Sequence, residues 1–284
     1  MEVSPTIENT SPRLVPRGAW GIVKETFRLY GHCIVQMTVI TAAVTVPLVL
    51  AGTAILGPEY ASLLNVSPWS ASMQPPDALL GTLAAYASLH LLGMMAAGGA
   101  TMEVGARRLA GSTVSISRAY GIAVRRLPAM IGAGLIVALV VGVPTLLMFS
   151  LPTTFTITGV VLLAPMAMLA MYLVVRLMFV GYAAVLEQAG ALAAVERSWK
   201  LISGGWRRTF RLAVLLSLCL FAVQLAFELT IGTGSAAGAI LATVVVAPLG
   251  ITGNLLIYLD LRARKEAFTG AQLMEELQAL DNVE

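Results

Sequence analysis

The feature that most constrains the fold of this chain is a series of long stretches without a single Asp, Glu, Lys or Arg. Such runs cover residues 29–58, 78–102, 127–175 and 229–259, and a shorter run covers 212–227. A transmembrane helix needs about 20 mostly apolar residues. Charged residues make up only 12% of the 284 positions, whereas soluble domains carry about 25%. The pattern therefore predicts a polytopic α-helical membrane protein.

We predict an all-α bundle of six transmembrane helices, arranged as three hairpins. The turn between spans three and four is expected at residues 150–154, where Pro and Thr interrupt the apolar run. The chain then divides into a flexible polar N-terminus (1–16), a membrane domain (17–260) and a cytoplasmic amphipathic tail (261–284). The predicted spans are at about residues 32–56, 79–101, 129–150, 158–186, 208–229 and 236–259.

The basic residues predict the orientation. Of the 18 Lys and Arg residues, 17 flank the same ends of the predicted spans, and the exception is Arg176 within span four. The loops on the other side carry only Glu59, Asp77 and Glu228. Because cytoplasmic loops collect Lys and Arg, we expect both termini in the cytoplasm of a bacterial cell, with the protein in its cytoplasmic (inner) membrane.

A similar segment precedes each predicted hairpin, at residues 19–30, 116–126 and 191–208. In the third segment, Leu192, Val195, Trp199 and Ile202 fall on one helical face, with basic residues beside it. A basic amphipathic helix with a tryptophan beside the bilayer is typical of an interfacial helix. We therefore expect each hairpin to be preceded by an amphipathic helix in the headgroup plane.

Two segments carry a resemblance to a known family. Residues 193–202 read AAVERSWKLI, and residues 258–268 read YLDLRARKEAF. Both resemble motifs of the membrane domain found beside glycerophosphoryl diester phosphodiesterases, which also occurs as a stand-alone bacterial membrane protein. The resemblance implies a membrane module without the soluble phosphodiesterase domain, because the chain has only two histidines, His32 and His90, and no room for that domain.

The sequence contains no pattern typical of catalysis. It has no Gly-rich phosphate loop ending in Lys-Ser or Lys-Thr, no His pair at metal-binding spacing and no serine elbow. Cys33 and Cys219 both lie in apolar stretches, which disfavours a disulfide framework or a thiolate metal site. We therefore expect no enzymatic activity, no catalytic or metal-ligating residue and no cofactor.

Polar residues within spans are candidate sites, because each is costly in lipid. Arg176, in span four, is expected to bind an anionic headgroup or substrate that enters from the cytoplasmic leaflet, or else to have a structural role. In the structural role it extends towards the interface, or it donates hydrogen bonds inside the bundle to helix carbonyls, Asn254 or Gln224. Glu228 is expected at the outer end of span five, and His90 is expected to form a hydrogen bond within the bundle.

Basic and aromatic residues near the predicted interface are candidate lipid contacts, since basic clusters attract acidic phospholipids. With Arg176, these are Arg197, Trp199, Lys200, Trp206, Arg207 and Arg208. We expect anionic phospholipids as partners, with a protein partner or self-association left open, and no nucleic acid.

The leading hypothesis for function is a non-enzymatic membrane scaffold or lipid-interacting module. A transporter, exporter or resistance protein for a small amphiphilic or anionic molecule is the alternative. It is suggested by Arg176 and by prolines within the spans, since proline can kink a transmembrane helix. A membrane-embedded hydrolase is the third hypothesis, and it would need clustered acids or histidines that the sequence lacks.

Overall fold

The computed structural model describes residues 17–56, 77–154, 156–231 and 236–281. Across these ranges the chain is helical and contains no strand, which confirms the all-α class. The helices are α1 (Ala19–Leu56), α2 (Asp77–Leu109), α3 (Ile116–Thr154), α4 (Thr156–Leu177), α5 (Val180–Leu186), α6 (Ala191–Ile202), α7 (Trp206–Ile231), α8 (Ala236–Glu266) and α9 (Gly270–Asp281).

Five helical segments are long and apolar enough to cross a membrane, so the chain has the architecture of a membrane-spanning protein. They are Ala19–Gly52, Ile116–Leu147, Val161–Leu186, Trp206–Ile231 and Ile240–Glu266. The predicted second span lies in α2, which is not among the five. The last third of α2 is buried, from Ala96 to Arg107. Six spans therefore remain a prediction.

Two of the three predicted interfacial segments are not separate helices. Residues 19–30 and 116–126 are the first turns of α1 and α3, which continue unbroken into the apolar segments. Only the third segment forms its own helix, α6, which is followed by Gly204 in the left-handed conformation (φ 75°). A glycine at φ > 0 ends a helix at little steric cost, and the first two segments have no such stop.

Two predicted boundaries also differ. The turn expected at residues 150–154 is helical and belongs to the end of α3. The predicted fourth span, 158–186, is interrupted at Met178 and Phe179, where α4 gives way to the short helix α5. Neither residue is a glycine or proline, so local sequence did not indicate the break.

Most of the buried side chains lie at one end of the bundle, which we call the basic end. Here α1, α3 and α7 begin, α2, α4 and α8 end, and α5, α6 and α9 close the structure. Phe179, Tyr182 and Tyr258 form a buried aromatic cluster with ring centroids 5.6 to 6.0 Å apart. Residues 261–266 of the predicted tail continue α8, and Gly270–Asp281 form α9, on which Leu273, Leu277 and Leu280 are buried. The side chains at the basic end are therefore tightly packed against one another.

Candidate functional site

The centre of the basic end is an ion-pair network around Glu187, the residue that follows α5. Arg197 of α6 donates from Nε to Glu187 Oε2 at 2.6 Å, and the Tyr258 hydroxyl donates to Oε1. Arg197 also holds Glu266 of α8 with its other two nitrogens. Hydrogen bonding to Glu266 raises the pKa of Arg197 further. The two carboxylates thus hold the half-buried Arg197 side chain in a fixed position.

Arg262 extends this network to α9. Its guanidinium forms a two-pronged ion pair with Glu276, with Nη1···Oε2 and Nη2···Oε1 distances of 2.8 and 2.7 Å. The Cζ atom of Arg262 lies 3.6 Å from the ring centroid of Phe268. Its Nε atom lies 3.4 Å from Glu187 Oε1. The arginine is buried, and the carboxylates of Glu187, Glu266 and Glu276 all lie within 3.4 Å of its guanidinium. This arrangement clamps α9 against the end of α8.

A second cluster centres on the buried Asp260 of α8. Its carboxylate accepts hydrogen bonds from the Arg17 backbone N–H at 2.8 Å, from Arg208 Nη2 at 2.8 Å and from Arg264 Nε at 2.9 Å. The Arg17 carbonyl accepts from Arg208 and Arg264 as well. Asp260 therefore joins the beginning of the described chain to α7 and α8.

A third cluster joins α2, α3 and α9. Arg107 donates from Nε to the buried Glu103 at 2.5 Å and from Nη2 to Asp281 at 2.6 Å, and Arg118 lies 3.2 Å from Asp281. Burial raises the pKa of Glu103, whose second carboxylate oxygen has no partner within the described ranges. The hydrogen bond from Arg107 lowers the pKa of Asp281.

Arg176 lies in the last turn of α4 and reaches the C-terminal end of α6. It donates to the Tyr172 hydroxyl at 2.9 Å, to the Trp199 carbonyl at 3.1 Å and to the Ser203 hydroxyl at 2.8 Å. Its guanidinium carbon also lies 4.7 Å from the ring centroid of Trp199. A cation suits this position because the end of a helix presents unpaired carbonyls with partial negative charge. Neither Asn254 nor Gln224 takes part.

Helix α6 presents two contrasting faces. Ala194, Ser198 and Leu201 are buried against the bundle, and the Ser198 hydroxyl donates to the Arg176 carbonyl at 2.8 Å. On the outer side, Leu192 is 76% exposed and Trp199 is 39% exposed. The predicted apolar face is therefore divided: Leu192 and Trp199 point outward, whereas Ile202 is buried and Val195 packs against the core.

The remaining predicted lipid contacts lie around this helix. Lys200 is exposed and pairs with Glu196 on the same helix. Trp206 stacks on Phe210 at a centroid distance of 5.1 Å, and its indole N–H is buried without a partner in the described part of the chain. Arg207 is exposed. Of the seven residues predicted to contact lipid, Arg176, Arg197 and Arg208 are therefore held by protein groups, and the other four lie at or near the surface.

Among the intramembrane polar residues whose side chains are described, His90, Gln224 and Asn254 do not come together as a site. The His90 ring lies 6.3 Å from that of Tyr86, and its Nδ1 atom is buried without a partner among the described residues. Asn254 lines a groove between α4 and α7, and Gln224 is half-buried farther along α7. The backbone of Glu228 belongs to α7, and its side chain lies outside the described part.

Sequence reasoning missed the acidic partners, namely Glu103, Asp260, Glu187, Glu266, Glu276 and Asp281. The available signal was that acids are rare in this chain, yet several lie beside the arginines of the basic segments. Across residues 17–56, 77–154, 156–231 and 236–281, no group of three His, Cys, Asp or Glu residues could hold a metal ion. With this geometry established, comparison with family models, curated proteins and solved structures finds no match to the chain.

Proposed function

We propose that this chain is a non-enzymatic integral protein of the bacterial cytoplasmic membrane, which acts as a lipid-interacting module or scaffold. It has six spans, and its basic end faces the cytoplasm. The observation that carries the proposal is the arrangement of α6. Ion pairs and buried side chains fix its inner face, while Leu192 and Trp199 point outward.

An interfacial helix needs apolar and aromatic side chains that can enter the headgroup region. Trp199 suits that position because tryptophan is enriched at membrane–water interfaces. The exposed Arg207 follows the turn after α6, so positive charge is available to anionic headgroups, whereas the charge of Lys200 is paired with Glu196. The same charges support the orientation, since cytoplasmic segments collect Lys and Arg.

The contacts of Arg176 favour this module over the transporter hypothesis. A substrate-binding arginine would direct its donors into a cavity. Arg176 instead donates to Tyr172, Trp199 and Ser203, and it does not line the groove between α4 and α7. We therefore assign Arg176 to holding α6 in place.

Two measurements test this proposal. Reporter fusions at Ser72, Pro152 and Gly234 should locate all three positions outside the cytoplasm, and a cytoplasmic signal at any of them contradicts the six-span topology. Lipid analysis of the purified protein should show more anionic phospholipid than the membrane from which it was extracted. A composition equal to that of the bulk membrane contradicts the lipid-interacting function.

The resemblance to the membrane domain of glycerophosphoryl diester phosphodiesterases stays a prediction. It leads us to expect no hydrolysis of glycerophosphodiesters by the purified chain. Turnover that survives repurification and is lost on denaturation would contradict a non-enzymatic module.

A further inference from the structure

A groove opens to the side of the bundle between α4 and α7, and α8 forms part of its lining. Its volume is about 560 Å³, within the range of roughly 300–1,000 Å³ typical of small-molecule sites. Most of its lining is apolar, including Met171 and Val174 of α4 and Phe210, Leu218 and Phe221 of α7. Leu218 and Phe221 are more than half exposed at its edge. The surroundings of the groove are therefore accessible from the lipid phase.

Two arginines lie above the groove on α7. Arg207 and Arg211 are one helical turn apart, and Arg211 precedes the lining residue Val214 by three positions. Residues at this spacing share a helix face. Both arginines are exposed, and no carboxylate in the described ranges pairs with either of them. They differ in this from Arg197, Arg208, Arg262 and Arg264.

Two polar side chains interrupt the apolar lining. Ser217 and Asn254 both border the groove, and no hydrogen bond of either side chain is found among the described residues. A polar group in an apolar environment is unfavourable unless it forms a hydrogen bond. Ser217 lies six residues beyond Arg211, which corresponds to about 9 Å along the helix. The groove therefore offers donors at a defined depth below the two cationic side chains.

The length of the groove matches one leaflet. From Arg211 to Phe221 the helix rises about 15 Å, at 1.5 Å per residue, and this is half of a hydrocarbon core about 30 Å thick. A ligand that fits must carry negative charge at one end, hydrogen-bond acceptors a short way below and an apolar chain beyond. A phospholipid of the cytoplasmic leaflet has these parts in this order.

We propose that the α4–α7 groove binds one anionic phospholipid. Its phosphate lies between Arg207 and Arg211, its ester carbonyls accept from Ser217 and Asn254, and one acyl chain lies along Met171, Val174, Leu218 and Phe221. The proposal rests on the lipid-interacting function and assigns it a specific site. Charge complementarity with the unpaired arginines selects anionic over zwitterionic lipid.

The test uses the full-length protein in nanodiscs of phosphatidylethanolamine and phosphatidylglycerol. Native mass spectrometry measures retained phosphatidylglycerol after detergent release. Each cationic charge near a membrane is worth roughly a fivefold preference for anionic lipid, so R207Q/R211Q should weaken retention about 25-fold. The R207K/R211K variant should restore most of it, and A213F should fill the groove and reduce retention of either lipid.

Two control variants are matched to these changes. K24Q/R28Q removes two charges at the same i, i+4 spacing from the beginning of α1, and A222F adds a ring to an exposed position of α7 outside the groove lining. Both should retain lipid as the wild type does. Size-exclusion profiles and melting temperatures identify any variant that fails to fold, and A213F is then replaced by S217F.

The outcomes separate the site from the general function. If the wild type retains anionic lipid preferentially and R207Q/R211Q and A213F match it, the lipid lies elsewhere and this inference is overturned. If the wild type has no preference for anionic lipid, the proposed function fails as well. Equal losses in R207Q/R211Q and K24Q/R28Q would also overturn the site, because the effect would then come from net charge.

Discussion

Arg262 and Glu276 form a two-pronged ion pair, with N···O distances of 2.8 and 2.7 Å, between the end of α8 and the middle of α9. Arg262 is buried, whereas Glu276 is about one-third exposed. Replacing Arg262 should therefore lower the free energy of unfolding more than replacing Glu276.

We expect R262A to lower the free energy of unfolding by about 3 kcal/mol, because it leaves the neighbouring carboxylates uncompensated. E276Q should lower the free energy of unfolding by about 1 kcal/mol. The glutamine side chain has the shape of glutamate and keeps one oxygen that can accept from Arg262, and water can reach this partly exposed position. Thermal unfolding in detergent and protease cleavage of α9 measure both effects. K200A removes an exposed charge from the Glu196–Lys200 pair and should have no measurable effect. Equal effects of R262A and K200A would contradict a clamp on α9.

Arg176 is expected to hold α6 rather than bind a substrate. R176A removes donors from Trp199 and Ser203 and should destabilise the protein by about 1.5–3 kcal/mol. Hydrogen exchange should increase at residues 199–205. R176K keeps the charge but lacks the planar fork that serves several acceptors, so it should recover only part of the loss. R207A changes an exposed arginine and should leave exchange unchanged. Normal protection of residues 199–205 in R176A would refute the structural role.

Charge-free runs predicted the all-α class and the approximate positions of most helices, because charged side chains are rare inside membrane-spanning helices. The partners of the arginines could not be predicted. Glu187 meets Arg262 across 75 residues of sequence, and Arg107 meets Asp281 across 174. Only the tertiary packing brings these pairs together, by placing the end of α5 beside α8 and placing α9 against α2. Arg176 shows the same limit, because its acceptors come from α6, a separate element.

The Arg107–Asp281 pair should make the docking of α9 sensitive to acid. The pKa of Asp281 is lowered from its usual value of 3.8 by the hydrogen bond from Arg107. A depressed carboxyl pKa contributes stability that is present above the unfolded pKa and disappears as the pH falls through the folded pKa. D281N should therefore melt below the wild type at pH 7, and the difference should shrink below about pH 4.

Melting temperatures from pH 7 to pH 3 measure this convergence. The neighbouring Glu103 has a raised pKa because of burial, so its contribution has the opposite sign. The E103Q substitution removes the contribution of Glu103. In that background, D281N should still lower the melting temperature at pH 7, and this decrease should again disappear in acid. A difference that stays constant down to pH 3 would show that the Asp281 charge is not responsible.

Close contact between α7 and α8 depends on Gly253. A Cβ atom at this position would lie 2.6 Å from Leu216 Cδ2 and 2.7 Å from Cδ1. Leu216 is buried, so it has little freedom to move aside. G253A should cost about 1–3 kcal/mol through overpacking. G142A is the matched control, because a Cβ there meets nothing within 4 Å, and it should be neutral or stabilising by up to about 1 kcal/mol.

A double-mutant cycle separates crowding from any general effect of the methyl group. L216A alone should cost about 2–5 kcal/mol by leaving a cavity. In G253A/L216A the new methyl group occupies part of that space, so the double variant should be more stable than the sum of the single effects predicts, by about 0.5–3 kcal/mol. Additive costs would mean that positions 253 and 216 do not interact. This result would contradict the claim that close α7–α8 contact depends on glycine at position 253.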